Sequence, residues 1–348
     1  MAAGAETTGS TPTRKTRADA RRSERAPSGG WRTIAAKELA DHIASWRLLF
    51  LLIPAVLLSI LPLYFSAEDI KAVASQTSAR NPLVFLALFT HGATALNSIS
   101  MILIVILAVP IIGIAFGYDG INSERSQGTL SRLLAQPVHR DDVINGKFVA
   151  GISVILIIMV TLIMLTTAIG ILRLGIIPTG EDIARIVVWL ITTTLYASFW
   201  LAFALLLSVV IRSTASAALI GFGVWLAVSI GGTFLGLTKV AASFLFPIDA
   251  TASLAAQISA YSSQQFFMRL SPSQLYQDVL QATLDPTTTT LFVTSVGQNT
   301  SAQQQGTSLL TLDQSILLVW PQVVVLVAMT VACFALAYVA FMRQEVRA

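Results

Sequence analysis

The sequence predicts an all-α polytopic membrane protein with six transmembrane helices. Three observations lead there. Only 11% of the 348 residues are charged and 55% are hydrophobic, whereas a soluble domain carries about 25% charged residues. The deficit is concentrated in six runs, about 48–66, 93–118, 148–172, 186–211, 213–238 and 314–342, that lack Asp, Glu, Lys and Arg apart from ragged ends. Each run has the length that matters, since roughly 20 apolar residues in a helix cross the hydrocarbon core. Helices fit these runs better than a barrel, whose strands are about ten residues long and alternate in polarity.

Taken in order, residues 1–30 are polar and basic with no apolar core, which predicts a disordered cytoplasmic tail rather than a secretory signal. Residues 31–46 place Ile34, Leu39, Ile43 and Trp46 at helical spacing, with Lys37, Glu38 and Asp41 on the other side. That pattern predicts an amphipathic interfacial helix on the inner leaflet. Residues 47–238 hold spans 1–5, and 314–348 hold span 6 and a cytoplasmic C-terminus. The patch LVFLALF at 83–89 is too short to span and reads as interfacial, re-entrant or an outward extension of span 2. Residues 239–313 are rich in Ser, Thr and Gln and form an extracytoplasmic segment. A short helix started by Ser271 or Ser273 is expected over 270–280, and a flexible loop over 298–306.

Orientation follows the positive-inside rule. With the N-terminus inside, sixteen of the 22 Lys and Arg fall on cytoplasmic segments and six outside. This predicts a multi-pass protein of the cell inner (plasma) membrane with both termini cytoplasmic. The net charge of +4 reflects that asymmetry. No basic patch is interleaved with aromatics, so nucleic acid is not an expected partner, whereas membrane lipid is.

The insert at 119–147, between spans 2 and 3, carries the functional argument. Residues 123–147 hold Glu124, Arg125, Arg132, Arg140, Asp141, Asp142 and Lys147. At about 2.5–3.5 kcal/mol each, seven charges at a bilayer centre would cost on the order of 20 kcal/mol, so the insert lies in the cytosol or at the surface. Asn122 or Ser123 is positioned to cap a helix, with Glu124 in its first turn. Leu130, Leu133 and Leu134 form one apolar face. Pro137 stops the helix, and Asp141 is placed to cap the next. A short surface helix joined to two spans can pass movement from a soluble partner into the membrane; an ordinary polar loop is the plainer alternative.

The run Glu124-Arg125, Gly128-Thr129-Leu130, Leu133-Leu134, Pro137, Arg140 and Gly146-Lys147 resembles the motif of permease subunits of type-2 (ABC-2) ATP-binding-cassette transporters. The likeness is to the branch that contains the permease of the nitrous-oxide-reductase maturation system. The resemblance implies a coupling helix within 119–147 that docks on a separate ATPase. Of the ATPase-coupling motif, the resemblance implies that Glu124 and Arg125 make polar contacts near or at that surface, that Leu130, Leu133 and Leu134 pack the helix and that Gly128 and Pro137 shape its ends, with Thr129, Arg140 and Lys147 belonging to the same motif. It also implies a cytosolic ABC ATPase subunit that binds ATP and Mg, and a second permease subunit, identical or related.

The chain lacks a G-x-x-x-x-G-K-[ST] run, so no phosphate-cradling loop is expected in it. His42, His91 and His139 are far apart and form no HExxH. No catalytic residue, metal or cofactor site is therefore expected. Cys333 lies in the last span as a packing residue. The span interiors hold no ionisable group, which weighs against an ion-coupled transporter. Gly232 and Gly236, with Gly221 and Gly223, permit close helix approach for internal packing or for a dimer contact. The reading is an ATP-driven exporter's permease subunit, not an enzyme. The rival is a membrane scaffold or assembly factor that holds a partner through its extracytoplasmic segment.

Overall fold

The computed structural model describes residues 30–77, 84–90, 101–128, 139–175, 177–249, 251–284 and 311–344. All regular structure among them is helical. Among the described residues, six helices are long and apolar enough to cross a membrane: Trp46–Phe65, Met101–Ser126, Arg140–Arg173, Gly180–Val210, Thr214–Thr233 and Leu312–Arg343. In chain order the helices are α1 Gly30–Ile43, α2 Trp46–Thr77, α3 Ala87–Thr90, α4 Met101–Gly117, α5 Asn122–Ser126, α6 Arg140–Ile169, α7 Gly180–Val210, α8 Thr214–Trp225, α9 Leu237–Leu245, α10 Leu254–Met268, α11 Pro272–Leu284 and α12 Leu312–Arg343. The α6 and α8 helices continue as π-helical stretches, Gly170–Leu174 and Leu226–Phe234.

The α7 helix is the central column, packed by α4, α6, α11 and α12. Its start follows from a reciprocal cap. The Asp182 amide donates to the Thr179 hydroxyl (3.2 Å), and the Asp182 carboxylate accepts from the Thr179 amide (2.8 Å). Two orphan donors of the first turn are thereby satisfied. The α4 helix approaches α7 closely because it carries Gly113 and Gly117. A Cβ at these positions would lie 2.7 Å from the Ala197 carbonyl oxygen and 2.8 Å from that of Leu201. This is the small-residue contact that lets two membrane helices meet backbone to backbone.

The glycines of span 5 divide between internal packing and a turn. Gly236 takes a left-handed φ of 71° and ends the span, and Gly232 faces Thr238 of the next helix. Here the G-x-x-x-G spacing makes a turn. Gly221 does pack internally, against Ile114.

Of the apolar patch at 83–89, the described part lies in the interior. Phe85, Leu86, Leu88 and Phe89 are buried in the main core, and the Phe89 ring meets Trp189 edge-on at 5.3 Å. The helix expected over 270–280 runs from Pro272 to Leu284, with Pro at its first position. It is not a free external helix. Ten of its residues are buried, against α7 and α12. The loop at 298–306 and the tail to residue 29 lie outside the described residues.

Candidate functional site

At the end of the bundle that carries Gly30 and Gln344, six helices (α1, α2, α5, α6, α7 and α12) meet in an ionic and hydrogen-bonded network. Its centre is Lys147, only 8% exposed. The Lys147 Nζ lies 3.0 Å from Glu38 Oε1 of α1 and 2.8 Å from Glu124 Oε1 of α5. Gly146 makes this geometry possible. A Cβ there would come within 2.7 Å of the Ile34 side chain and 3.0 Å of the Trp31 carbonyl oxygen, so α1 lies directly on the base of α6. Burial alone would raise the Glu38 carboxyl, but Lys147 and Lys37 outweigh it and hold the group below its ordinary value.

The short α5 helix is fixed on its other sides as well. The Ser208 hydroxyl of α7 accepts from the amides of Ile121 (3.0 Å) and Asn122 (3.1 Å). It thus performs the capping expected of Asn122 or Ser123. Asn122 is a helical, fully buried residue, and the Ser123 hydroxyl donates back to the Asp119 carbonyl at 2.7 Å. Arg125 donates to the Gln344 side-chain oxygen at the end of α12, and the Gln344 amide donates to the Val209 carbonyl of α7 at 2.6 Å. One turn away, Arg47 makes a two-pronged contact with Asp119 at 2.7 and 3.0 Å and lies over the Tyr118 ring at 5.4 Å. Such paired geometry fixes direction as well as charge.

The structure brings Glu124, Arg125 and Lys147 together, with Arg140 as the first residue of α6. The α5 helix ends at Gln127 and Gly128, the latter with φ of 67°. It does not run on as one helix from Asn122 to Pro137, because a left-handed residue interrupts it. Thr129, Leu130, Leu133, Leu134 and Pro137 lie outside the described residues. The cap of α6 is His139, whose amide donates to the Asp142 carboxylate at 3.3 Å, rather than Asp141. Among the described residues there is no cluster of His, Cys, Asp and Glu suited to a metal ion.

Glu38, Ser208, Arg47, Asp119 and Gln344 complete the network, and sequence reasoning did not assign them to it. Glu38 was readable only as part of a polar helix face. Its partner is 109 residues away, and nothing local signals the pairing.

His42, on α1, packs edge-on against Phe116 at 5.0 Å. Burial holds its imidazole below the ordinary value of 6.5, and the nearby cations Arg47 and Lys147 add to the effect, against Glu38 and Asp119. The folded protein therefore keeps His42 neutral at pH values where the unfolded chain takes up a proton. Stability from this group is present above about pH 6.5 and is lost as pH falls through that value toward the depressed folded one. Thermal unfolding is expected at lower temperature at pH 5.5 than at 7.5, with a smaller difference in His42→Gln. Equal pH dependence in both proteins would exclude His42 as the source.

At the opposite end, a cavity of about 310 Å³ lies between α4 and α11, lined by Thr90, Ile102, Leu103, Ile106, Gln277, Leu280 and Gln281, with no charged side chain among them. Nearby in the fold, two tyrosine rings, Tyr196 and Tyr276, stack at 4.3 Å. Tyr196 shares a hydrogen bond with Ser273 at 2.9 Å, and Tyr276 shares one with Thr193 at 2.7 Å.

Comparison with known proteins agrees with this architecture. A curated relative, the "Probable ABC transporter permease protein NosY" of Stutzerimonas stutzeri, is 29% identical over 194 residues, covering 55% of this chain and 64% of the relative. The aligned stretch thus spans less than two thirds of that relative's length. Residues 32–346 match the family described as ABC-2 family transporter protein. With six spans and nearly the whole helical chain inside that match, the protein belongs to the ABC-2 transporter family.

Proposed function

We propose that the chain is the permease subunit of an ATP-driven exporter, moved by a separate ATPase that docks at the end of the bundle bearing α5. That end is cytoplasmic in this reading, as the Lys and Arg distribution supports. The observation that carries the proposal is the attachment of α5. Through Lys147, Ser208, Arg125 and Gln344, this five-residue helix is tied to α1, α6, α7 and α12. A push on α5 therefore reaches four elements at once through short polar contacts. ATP and Mg belong to the partner, and a second permease copy or a related chain completes the pathway. Export is favoured over import by the resemblance of the insert motif to a largely exporting family.

The test uses the tagged chain purified in detergent from its own membrane. A co-purifying ATPase in near-stoichiometric amount is expected, and scrambling residues 123–136 should lose it. Glu124→Ala should leave the protein inserted, because Lys147 keeps Glu38 as its counter-charge. ATP-dependent function should nevertheless fall by about tenfold, the equivalent of one charge-assisted contact. A stable protein with no ATPase partner, or a Glu124→Ala variant with undiminished ATP-dependent activity, would count against coupling through this helix.

A further inference from the structure

The α5 helix is capped from outside itself. The Ser208 hydroxyl of α7, fully buried, accepts from the Ile121 and Asn122 amides at 3.0 and 3.1 Å. Ile121, at the cap position, has no side-chain oxygen to offer. Asn122 follows as the first residue of the helix. It is 0% exposed, and neither its Oδ1 nor its Nδ2 has a hydrogen-bond partner among the described residues. Its neighbour Ile121 belongs to an apolar cluster with Ile34, Val143, Ile144 and Val209. A primary amide brings two donors and an acceptor with two lone pairs. Burying them unbonded opposes the arrangement, because water satisfies them whenever the segment is exposed. Buried polar atoms are seldom left so, and here the exception falls on the five-residue helix that carries Glu124 and Arg125.

Asparagine is also among the best N-cap residues, since its side-chain oxygen accepts from the amide two or three positions on. For Asn122 those amides belong to Glu124 and Arg125. In the observed position Asn122 is itself helical, and the Arg125 amide donates to the Ile121 carbonyl at 3.1 Å. The helix thus has two groups able to cap it, Ser208 on α7 and Asn122 on α5, and only the first is in use.

We propose that α5 is a two-position element whose cap swaps as it moves. Docked, it is capped by Ser208 and holds the Asn122 amide without a partner. Released from α7, it is capped by Asn122, whose remaining polar groups meet water. Glu124 on Lys147 and Arg125 on Gln344 secure the docked position, and the stranded amide offsets part of that attachment. The two positions are therefore closer in free energy than the ionic contacts alone would make them. A modest differential contact from a partner then selects one of them. The purpose of the swap rests on the proposed coupling role, but the balance itself is a property of this chain.

The test is amide exchange across 119–128, read by mass spectrometry on the full chain in detergent, with 196–207 of α7 as internal reference. Asn122→Leu removes both polar atoms and keeps a side chain branched at Cγ. Asn122→Ala removes them without adding volume. Both should slow exchange across 119–128, by up to about tenfold, the usual scale for one unsatisfied buried group. Ser208→Ala should accelerate it. Slowing in Asn122→Ala alone would still support the proposal, since leucine adds volume. Exchange at or above the parent's rate in both Asn122 variants would overturn it, by showing that the amide is satisfied where it lies. Unchanged exchange in Ser208→Ala would overturn it as well. In the complex with its ATPase, the slowed variants should lose ATP-dependent function severalfold although α5 is held more firmly. Slowed exchange with undiminished function would overturn the switch. If no ATPase co-purifies, the coupling reading falls, and the exchange results alone decide whether the cap swaps.

Discussion

Lys147→Met is expected to destabilise the protein by about 3–5 kcal/mol, the usual cost of removing one partner from a buried charge cluster. The geometry explains why the loss should exceed that of Glu124→Ala. Glu38 and Glu124 each place an oxygen within 3.0 Å of the same ammonium, and neither side chain is more than 16% exposed. Without the cation, two poorly hydrated carboxylates face each other across the gap it filled. Methionine supplies the volume but no charge, so the effect reports electrostatics and not a cavity. The variant Lys147→Met/Glu38→Gln removes one of the stranded carboxylates and should recover part of the loss. Chemical or thermal unfolding of the three proteins in one detergent measures this. A single variant within about 0.5 kcal/mol of the parent, the range of ordinary surface substitutions, would show that the cluster does not hold α1 to α5. If the loss occurs, amide exchange in α1 should rise more than in α7, because α7 keeps its contacts with α4, α11 and α12.

The parts of this structure legible in the sequence are those set by composition over long windows. Six charge-free runs predict six spans because hydrocarbon excludes charge from every residue in the run. The polar insert was legible for the same reason. Contacts between distant polar residues were not. Composition alone places 270–284 outside the membrane domain, since it holds Ser273, Gln274, Tyr276, Gln277, Asp278 and Gln281. The structure buries α11 because several of those groups have a matching partner elsewhere. Ser273 meets Tyr196 and Ser229, Tyr276 meets Thr193 and Trp189, and Asp278 meets Arg269. A polar helix with satisfied groups packs as readily as an apolar one. The glycine patterns taught the same lesson in reverse. Gly113 and Gly117 carry the close helix contact, yet they look no different from Gly232 and Gly236, which make a turn. The distinction lies in which backbone is opposite, and single-chain spacing does not contain it. Within the candidate site, the motif indicated Glu124, Arg125 and Lys147, but Glu38 and Ser208 needed the fold.

Replacement of Arg185 is the second change expected to have a large effect, and it acts at the other end of the bundle. Arg185 is fully buried near the start of α7. Its guanidinium donates to Glu181 at 2.8 and 3.1 Å, to the Thr283 carbonyl at 2.9 Å and to the Ser315 hydroxyl at 3.3 Å. One planar cation thus joins the start of α7, the C-terminal turn of α11 and the first turn of α12. The Thr283 carbonyl belongs to the negative end of the α11 dipole, where a cation is favoured. Arg185→Lys keeps the charge but offers a single ammonium that cannot span the three acceptors in the plane of a guanidinium fork. Arg185→Met removes the charge and leaves a buried carbonyl without its donor. Glu181, 45% exposed, can turn to water, so the cost of Arg185→Met should fall below that of Lys147→Met, at about 2–3 kcal/mol. The loss should be local before it is global: amide exchange across 272–284 should accelerate while the base of α6 stays protected. Lysine should lie between methionine and the parent. Unchanged exchange in α11 for both variants would mean that the stacked tyrosines and the serine pair hold this helix without the arginine. Acceleration confined to α11 would identify Arg185 as the clasp that keeps a polar helix seated among the spans.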